Sequence, residues 1–133
     1  MIMKDQVFTI EQMKTLMEVG VNIEIAKGMA YYAIYETEPN WFNELREREV
    51  EFDNNYPYIP TFTTHDAIIY LNNIVKPSKL SIMYNDDCEW VVGVVKIFKH
   101  YNTDGETKIF NTLHKDPDLN CALYESILKL SKF

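Results

Sequence analysis

Lys79 to Lys99, KLSIMYNDDCEWVVGVVKIFK, is the stretch on which the fold turns. Leu80, Ile82 and Tyr84 alternate with Ser81, Met83 and Asn85, and from Trp90 to Phe98 the chain is almost continuously apolar and rich in valine. Strict alternation marks a half-buried strand, and a short β-branched apolar run marks a strand covered more fully. Between them, Asn85-Asp86-Asp87-Cys88-Glu89 is made of residues that disfavour strands and tolerate turns. The reading is a β-hairpin whose second strand lies nearer the centre of a small sheet.

Elements on either side extend this reading. Downstream, Asn102-Thr103-Asp104-Gly105 is a turn, and Thr107 to Leu113 returns as a further strand. Asp116-Pro117 then starts a last helix, with proline favoured at N1. Leu119, Leu123, Ile127 and Leu130 form its apolar stripe, joined by Ala122. Upstream, Thr63 caps a helix with Asp66 at N3, and Ala67, Tyr70, Leu71 and Ile74 give it an inner face that stops at Lys76-Pro77.

Nearer the start, Thr9 and Gln12 make a capping box, and Phe8 can staple onto Met13. Ile10, Met13, Leu16 and Met17 follow helical spacing, and Gly20 stands where a left-handed C′ residue is wanted. Val21 to Lys27 fits either a strand or a connector. Met29 to Tyr35 is a better strand, aromatic and bounded by Gly28 and Pro39. The pattern is α+β: a small, mainly antiparallel sheet of three or four strands, with about three helices packed on one face.

Between Glu36 and Pro60 the chain departs from this regular alternation. Its length marks a long excursion and a candidate functional loop. Within it a Glu44–Arg48 pair suits a short exposed helix, and Tyr56-Pro57-Tyr58-Ile59-Pro60 is held extended by its prolines.

With 133 residues the chain reads as a single domain, 1–133, long enough to bury roughly two-thirds of its unfolded surface. A hydrophobic content of 47% with 14% aromatics argues against disorder. The net charge of −7 is uneven: Glu36 to Asp53 holds seven acids and two bases, leaving −2 for the rest. No basic face of the kind that displaces phosphate counterions is visible, so direct nucleic-acid binding is not expected. No apolar run spans a bilayer, and the first residues lack a signal-peptide pattern, which implies a cytoplasmic protein. Cys88 and Cys121 lie far apart and read as reduced thiols.

The order of signals resembles small uncharacterised phage and prophage proteins of gut bacteria, especially of the Bacteroidetes type. The matching residues are Leu16 to Gly20, Ala30-Tyr31-Tyr32, Ile59-Pro60-Thr61-Phe62-Thr63, Trp90 and Ala122-Leu123. The chain departs from the pattern by extra acids after Tyr35 and a longer run after Trp90. Because that family has no established activity, the resemblance implies a phage or mobile-element accessory protein and carries no site residue with it.

Chemistry-bearing residues are sparse. There is no nucleophile elbow, phosphate-binding glycine loop or dinucleotide fingerprint, so no catalytic residue and no cofactor are assigned. His65 and Asp66 are adjacent at a helix start, where capping and solvation account for them. Asp86, Asp87 and Glu89 read as a polar turn rather than a calcium loop. His100 and His114 come together only if the chain folds back, and they still lack a third ligand, so no metal is expected.

The aromatic group Trp41, Phe42, Tyr56 and Tyr58, flanked by Glu44 and Glu47, is more suggestive. Aromatics are enriched in interface hot spots, although here they can equally tether the excursion to the core. The functional expectation is a non-enzymatic protein-binding module with an unknown protein partner. The alternative is an acidic inhibitor that mimics nucleic-acid charge and blocks a host nucleic-acid-binding protein.

Overall fold

The computed structural model describes residues 6–23, 30–37, 40–47, 58–101 and 103–131; in the first three strands the described side chains are Tyr32, Ile59 and Pro60. In chain order the elements are α1 (Ile10–Glu18), β1 (Ala30–Thr37), β2 (Asn40–Glu47), β3 (Tyr58–Pro60) and α2 (Thr64–Ile74). There follow β4 (Lys79–Tyr84), β5 (Trp90–Lys99), β6 (Glu106–Asp116) and α3 (Leu119–Ser131). The α+β class holds, with antiparallel pairing throughout the described strands. The strands form two three-stranded sheets, β2-β1-β3 and β4-β5-β6, where the sequence pointed to one. By its contacts the chain divides into two compact units, Met1–Ala67 and Ile68–Phe133.

In the first unit, α1 begins and ends as its sequence dictates. The Gln12 backbone N–H donates to the Thr9 hydroxyl at 3.1 Å, and the Gln12 carboxamide accepts from the Thr9 N–H at 2.8 Å. Gly20 has φ +90°, and the N–H groups of Gly20 and Val21 donate back to the carbonyls of Met17 and Leu16. This is a Schellman closure, which needs a left-handed C′ residue and so favours glycine. Met13 and Leu16 are fully buried with Phe8 and Phe62. The Phe8 carbonyl accepts from the Tyr32 phenol and the Thr61 hydroxyl, both at 2.8 Å. Burial, reinforced by the Glu11 carboxylate, pushes the Tyr32 phenol above its usual value, keeping the donor protonated.

Glu36 to Pro60 is not a continuous excursion. Asn40–Glu47 is a strand, paired with β1 from Thr37↔Asn40 to Ala30↔Glu47. The expected short helix at Glu44–Arg48 is therefore replaced by strand as far as Glu47; Arg48 lies outside the described residues. An exposed ion pair contributes only about 0.2–0.5 kcal/mol to a helix, whereas strand pairing satisfies backbone groups along the whole segment. Of Val21 to Lys27, Val21 and Ile23 are buried and the remainder from 24 lies outside the described residues.

Helix α2 has the reciprocal Thr63–Asp66 cap, with bonds of 3.0 and 3.1 Å. Its buried positions are Ala67 and Leu71, continued four residues on by Val75 just past its end; Tyr70 is half-buried and Ile74 is exposed, so the inner face is rotated from the one read in the sequence. The i, i+4 row of small and branched side chains defines the stripe.

In the second unit, β5 is the central strand, as the Trp90–Phe98 run implies. The turn from β4 is organised by Asn85, whose side-chain oxygen accepts from the N–H groups of Asp87 at 3.0 Å and Glu89 at 2.9 Å. Opposite β5, β6 carries one extra residue, Leu113, between the pairs Val92↔His114 and Gly93↔Thr112. Such a bulge bends and twists its strand locally. The final helix begins at Leu119, not at Asp116-Pro117. Strand β6 continues to Asp116, and Asp118 is the cap, accepting from the N–H groups of Asn120 at 2.8 Å and Cys121 at 3.3 Å. Helix α3 packs on β5 and β6, burying Ala122, Leu123, Ser126 and Ile127 completely.

Close packing beside the bulge leaves no room for a side chain at Gly93. An added Cβ would stand 2.6 Å from the Asn111 carbonyl oxygen and 2.7 Å from the Phe110 ring. The ring can swing aside, but the paired backbone cannot. Gly93→Ala is expected to cost about 1–3 kcal/mol in a denaturant melt; a midpoint unchanged from the parent would show that β6 yields at this point.

Candidate functional site

Strand pairing first decides what the expected contact residues share. Trp41, Phe42, Glu44 and Glu47 are all in β2, Tyr58 opens β3, and Tyr56 lies outside the described residues. Directly paired residues lie on the same face of a sheet, and neighbours along a strand lie on opposite faces. Ala33 pairs with Glu44 on one side and with Tyr58 on the other, while Tyr35 pairs with Phe42. Phe42, Glu44 and Tyr58 thus share one face. Trp41 and Glu47 belong to the other, in the same set as the buried Tyr32 and Ile59. Backbone register brings part of the expected group together and separates Trp41 from it.

The second unit carries a feature the sequence reading passed over. Strand β4 pairs with β5 only from Trp90 to Val95, whereas β6 accompanies β5 as far as Lys99. Lys96–Lys99 and Glu106–Ile109 therefore continue past β4 as a two-stranded ribbon. On it Phe98 is 51% exposed, Ile109 45% and Ile97 36%; Phe110, opposite Val95 at its base, is 40% exposed, and Tyr101 beyond it is fully exposed. Pairing places Ile109 opposite Lys96 and Phe110 opposite Val95, so the apolar residues occupy both faces. The available signal is the apolar run continuing through Ile97-Phe98, broken only by Lys96. Such a run implies burial, because periodicity alone does not reveal where a neighbouring strand stops.

Beside this ribbon lies a groove of about 430 Å³, lined by Ser78, Lys79, Val95, Lys96, Ile97 and Phe98 among others. Its two cations, Lys79 and Lys96, form no ion pair among the described residues, and no carboxylate lines it. The local charge is thus opposite in sign to the chain as a whole, which is −7.

The remaining polar groups have local explanations. Asp66 is occupied in capping α2, and His65 is exposed beside it. His100 Nε2 lies 2.7 Å from the Thr107 hydroxyl beyond one end of β5, whereas His114 pairs opposite Val92 near the other. At about 3.3 Å per residue the two histidines are held more than ~20 Å apart, so the fold-back that would join them does not occur. His114 instead stands between Asp116, 4.0 Å from Nε2, and the Lys129 ammonium, 3.4 Å from Nδ1; that ammonium also donates to the Leu113 carbonyl.

At the β4–β5 turn, Tyr84 and Trp90 are cross-strand partners with ring centroids 5.0 Å apart. A hydrogen bond with Cys88, together with the charge its thiolate would carry, pushes the exposed Tyr84 phenol upward. Neither Cys88 nor Cys121 is joined in a disulfide. Among the described residues no three metal-type side chains stand close enough to share an ion, and no helix is long and apolar enough to cross a membrane.

Compared with known families, curated proteins and solved structures, the chain matches no family model, no curated protein and no solved structure.

Proposed function

We propose that the protein is a non-enzymatic protein-binding module, acting in the cytoplasm as an accessory protein of a phage or mobile element. The observation that carries this reading is the apolar ribbon, with Ile97, Phe98, Ile109 and Phe110 exposed on two paired strands. Exposed apolar groups clustered in one place mark interaction surfaces, and aromatics are favoured anchors; here Phe98 anchors one face of the ribbon and Phe110 the other. Because a strand ladder holds the backbone beneath them, less freedom is lost when they dock. The phage or mobile-element setting rests on the sequence resemblance alone.

Trp41, Phe42, Tyr56 and Tyr58, with Glu44 and Glu47, form the second contact element of this reading. Phe42, Glu44 and Tyr58 are its best-placed members, being on one face of their sheet.

Immobilised protein exposed to extract of its source cells should capture a protein saturably. The double variant Phe98→Ala/Phe110→Ala should weaken that capture roughly thirty-fold, corresponding to an aromatic hot spot of about 2 kcal/mol. Phe98→Ala alone should leave the melting midpoint near the parent's, whereas Phe110→Ala also removes the ring that packs beside Gly93 and should lower it somewhat. Phe42→Ala and Tyr58→Ala weigh the second element in the same assay. Loss confined to Glu44→Gln and Glu47→Gln, with steep salt dependence, would instead favour the charge-mimicking inhibitor. Absence of saturable capture would remove the protein-binding reading.

A further inference from the structure

We infer that the edge of β5 that no described strand covers accepts an extended peptide of another protein, which adds antiparallel as a continuation of β4 and carries two apolar residues flanked by carboxylates. This rests on the protein-binding reading above and specifies how the partner is held.

The argument starts from hydrogen-bond parity. In an antiparallel strand, alternate residues direct both N–H and C=O to the same side. The Glu89 carbonyl accepts from Asn85 at 2.9 Å, so Glu89 faces β4, and counting by twos Val95, Ile97 and Lys99 face that side as well. The His100 N–H donates to the Gly105 carbonyl at 3.1 Å, so His100, Phe98 and Lys96 face β6. Both ends of β5 give the same parity. Because β4 begins opposite Val95, the N–H and C=O groups of Ile97 and Lys99 face a side that no described strand occupies. The groove lies along that side.

Its dimensions and chemistry select the occupant. A volume of about 430 Å³ lies within the roughly 300–1,000 Å³ typical of ligand clefts. Addition of a strand to a sheet edge obtains affinity from main-chain bonds and specificity from alternate side chains. A residue opposite Lys96 would meet an ammonium group at the groove, one opposite Lys99 would share its ammonium with Glu106 across the ribbon, and those opposite Ile97 and Phe98 would meet apolar surface. The order acid–apolar–apolar–acid follows from this row. A two-stranded ribbon is marginally stable alone and gains from a third strand. The outer edge of β6 is a poorer acceptor, because it is broken by the Leu113 bulge and the Leu113 carbonyl is already engaged by Lys129.

The probe is a short synthetic peptide reading Thr-Glu-Val-Phe-Glu-Thr, with a twin that has the same side chains but is N-methylated along its pairing edge. Added to isotopically labelled full-length protein, the first should slow amide exchange at Ile97 and Lys99 by about ten-fold or more, the size of a lost or gained backbone bond. The twin should not. Ile97→Pro removes the N–H that faces the groove and no ladder bond to β6, so it should weaken peptide binding about ten-fold. Lys96→Glu should weaken it in a salt-dependent way.

Equal binding by the N-methylated twin, protection confined to β6, or no binding at saturating peptide would each overturn the proposal. So would the same protection arising from self-association without peptide. If Ile97→Pro fails to fold, the twin peptide on the parent protein still decides the matter. Failure here leaves capture through Phe98 and Phe110 standing, whereas failure of the protein-binding reading removes capture altogether.

Discussion

Leu123→Ala is expected to lower the unfolding free energy by about 2–5 kcal/mol. Leu123 has no solvent exposure and sits on α3 between the equally buried Ala122 and Ile127. Helix α3 lies on the sheet face that carries Val92 and His114, as the approach of Lys129 to His114 shows. Truncation removes the transfer energy of the lost methyl and methylene groups and leaves a cavity bounded by a helix and a sheet, neither of which collapses easily. Leu119→Ala, at a half-buried position, supplies the comparison and should cost markedly less. Equal losses at the two positions in urea melts, or a loss below about 1 kcal/mol at Leu123, would mean that α3 does not close this core.

The same helix shows how far the sequence could be read. Leu123 and Ile127 followed from helical spacing, since large apolar residues at that period have few other destinations. Buried Ser126 did not follow, because a serine reads as polar. Its hydroxyl donates to the Ala122 carbonyl at 2.7 Å, which satisfies the group within the helix and lets a small polar residue sit in the core. The start of α3 was displaced for a related reason. Asp116 and Asp118 flank Pro117 and both suit a cap, and only the register of β6 decides that Asp116 ends a strand. That register includes a bulge, for which sequence offers no local sign.

The sheets were less legible than the helices. Capping boxes and a C′ glycine are local signals written within a few residues, so both ends of α1 were readable. Division of six strands between two sheets depends on contacts between distant segments, and β2 concealed itself behind Asn40, Asn43 and three charged residues that seldom mark a strand. Pairing with β1 overrode that weak propensity. The ribbon was missed because an apolar strand looks alike whether its neighbour covers it or stops short. Where β4 stops is a property of the pair, and the exposed side chains beyond it are the ones on which the functional reading now rests.

The first unit should respond even more strongly to Phe62→Ala, with an expected loss of about 3–5 kcal/mol. Phe62 is 1% exposed and meets Phe8 edge-on, with centroids 5.8 Å apart and planes at 63°. Such a pair contributes about 0.5–1.5 kcal/mol beyond its buried area. Phe62→Leu keeps much of the volume but loses the ring, so it should cost less than half as much and separates cavity from ring interaction. Backbone bonds are untouched by either change: the Phe62 carbonyl accepts from the Phe8 N–H at 2.9 Å, and its N–H faces the Met13 sulfur at 3.5 Å. Phe8 in turn receives Tyr32 from β1 and Thr61 from the segment after β3. Loosening Phe8 therefore reaches the strand on which β2 and its aromatic and acidic residues are paired. Amide exchange of β1 should accelerate in Phe62→Ala in step with the lost stability, and by correspondingly less in Phe62→Leu. If β1 exchange is unchanged while the melt shifts by the full amount, the Phe8–Phe62 contact supports α1 alone and the hairpin is held by other means.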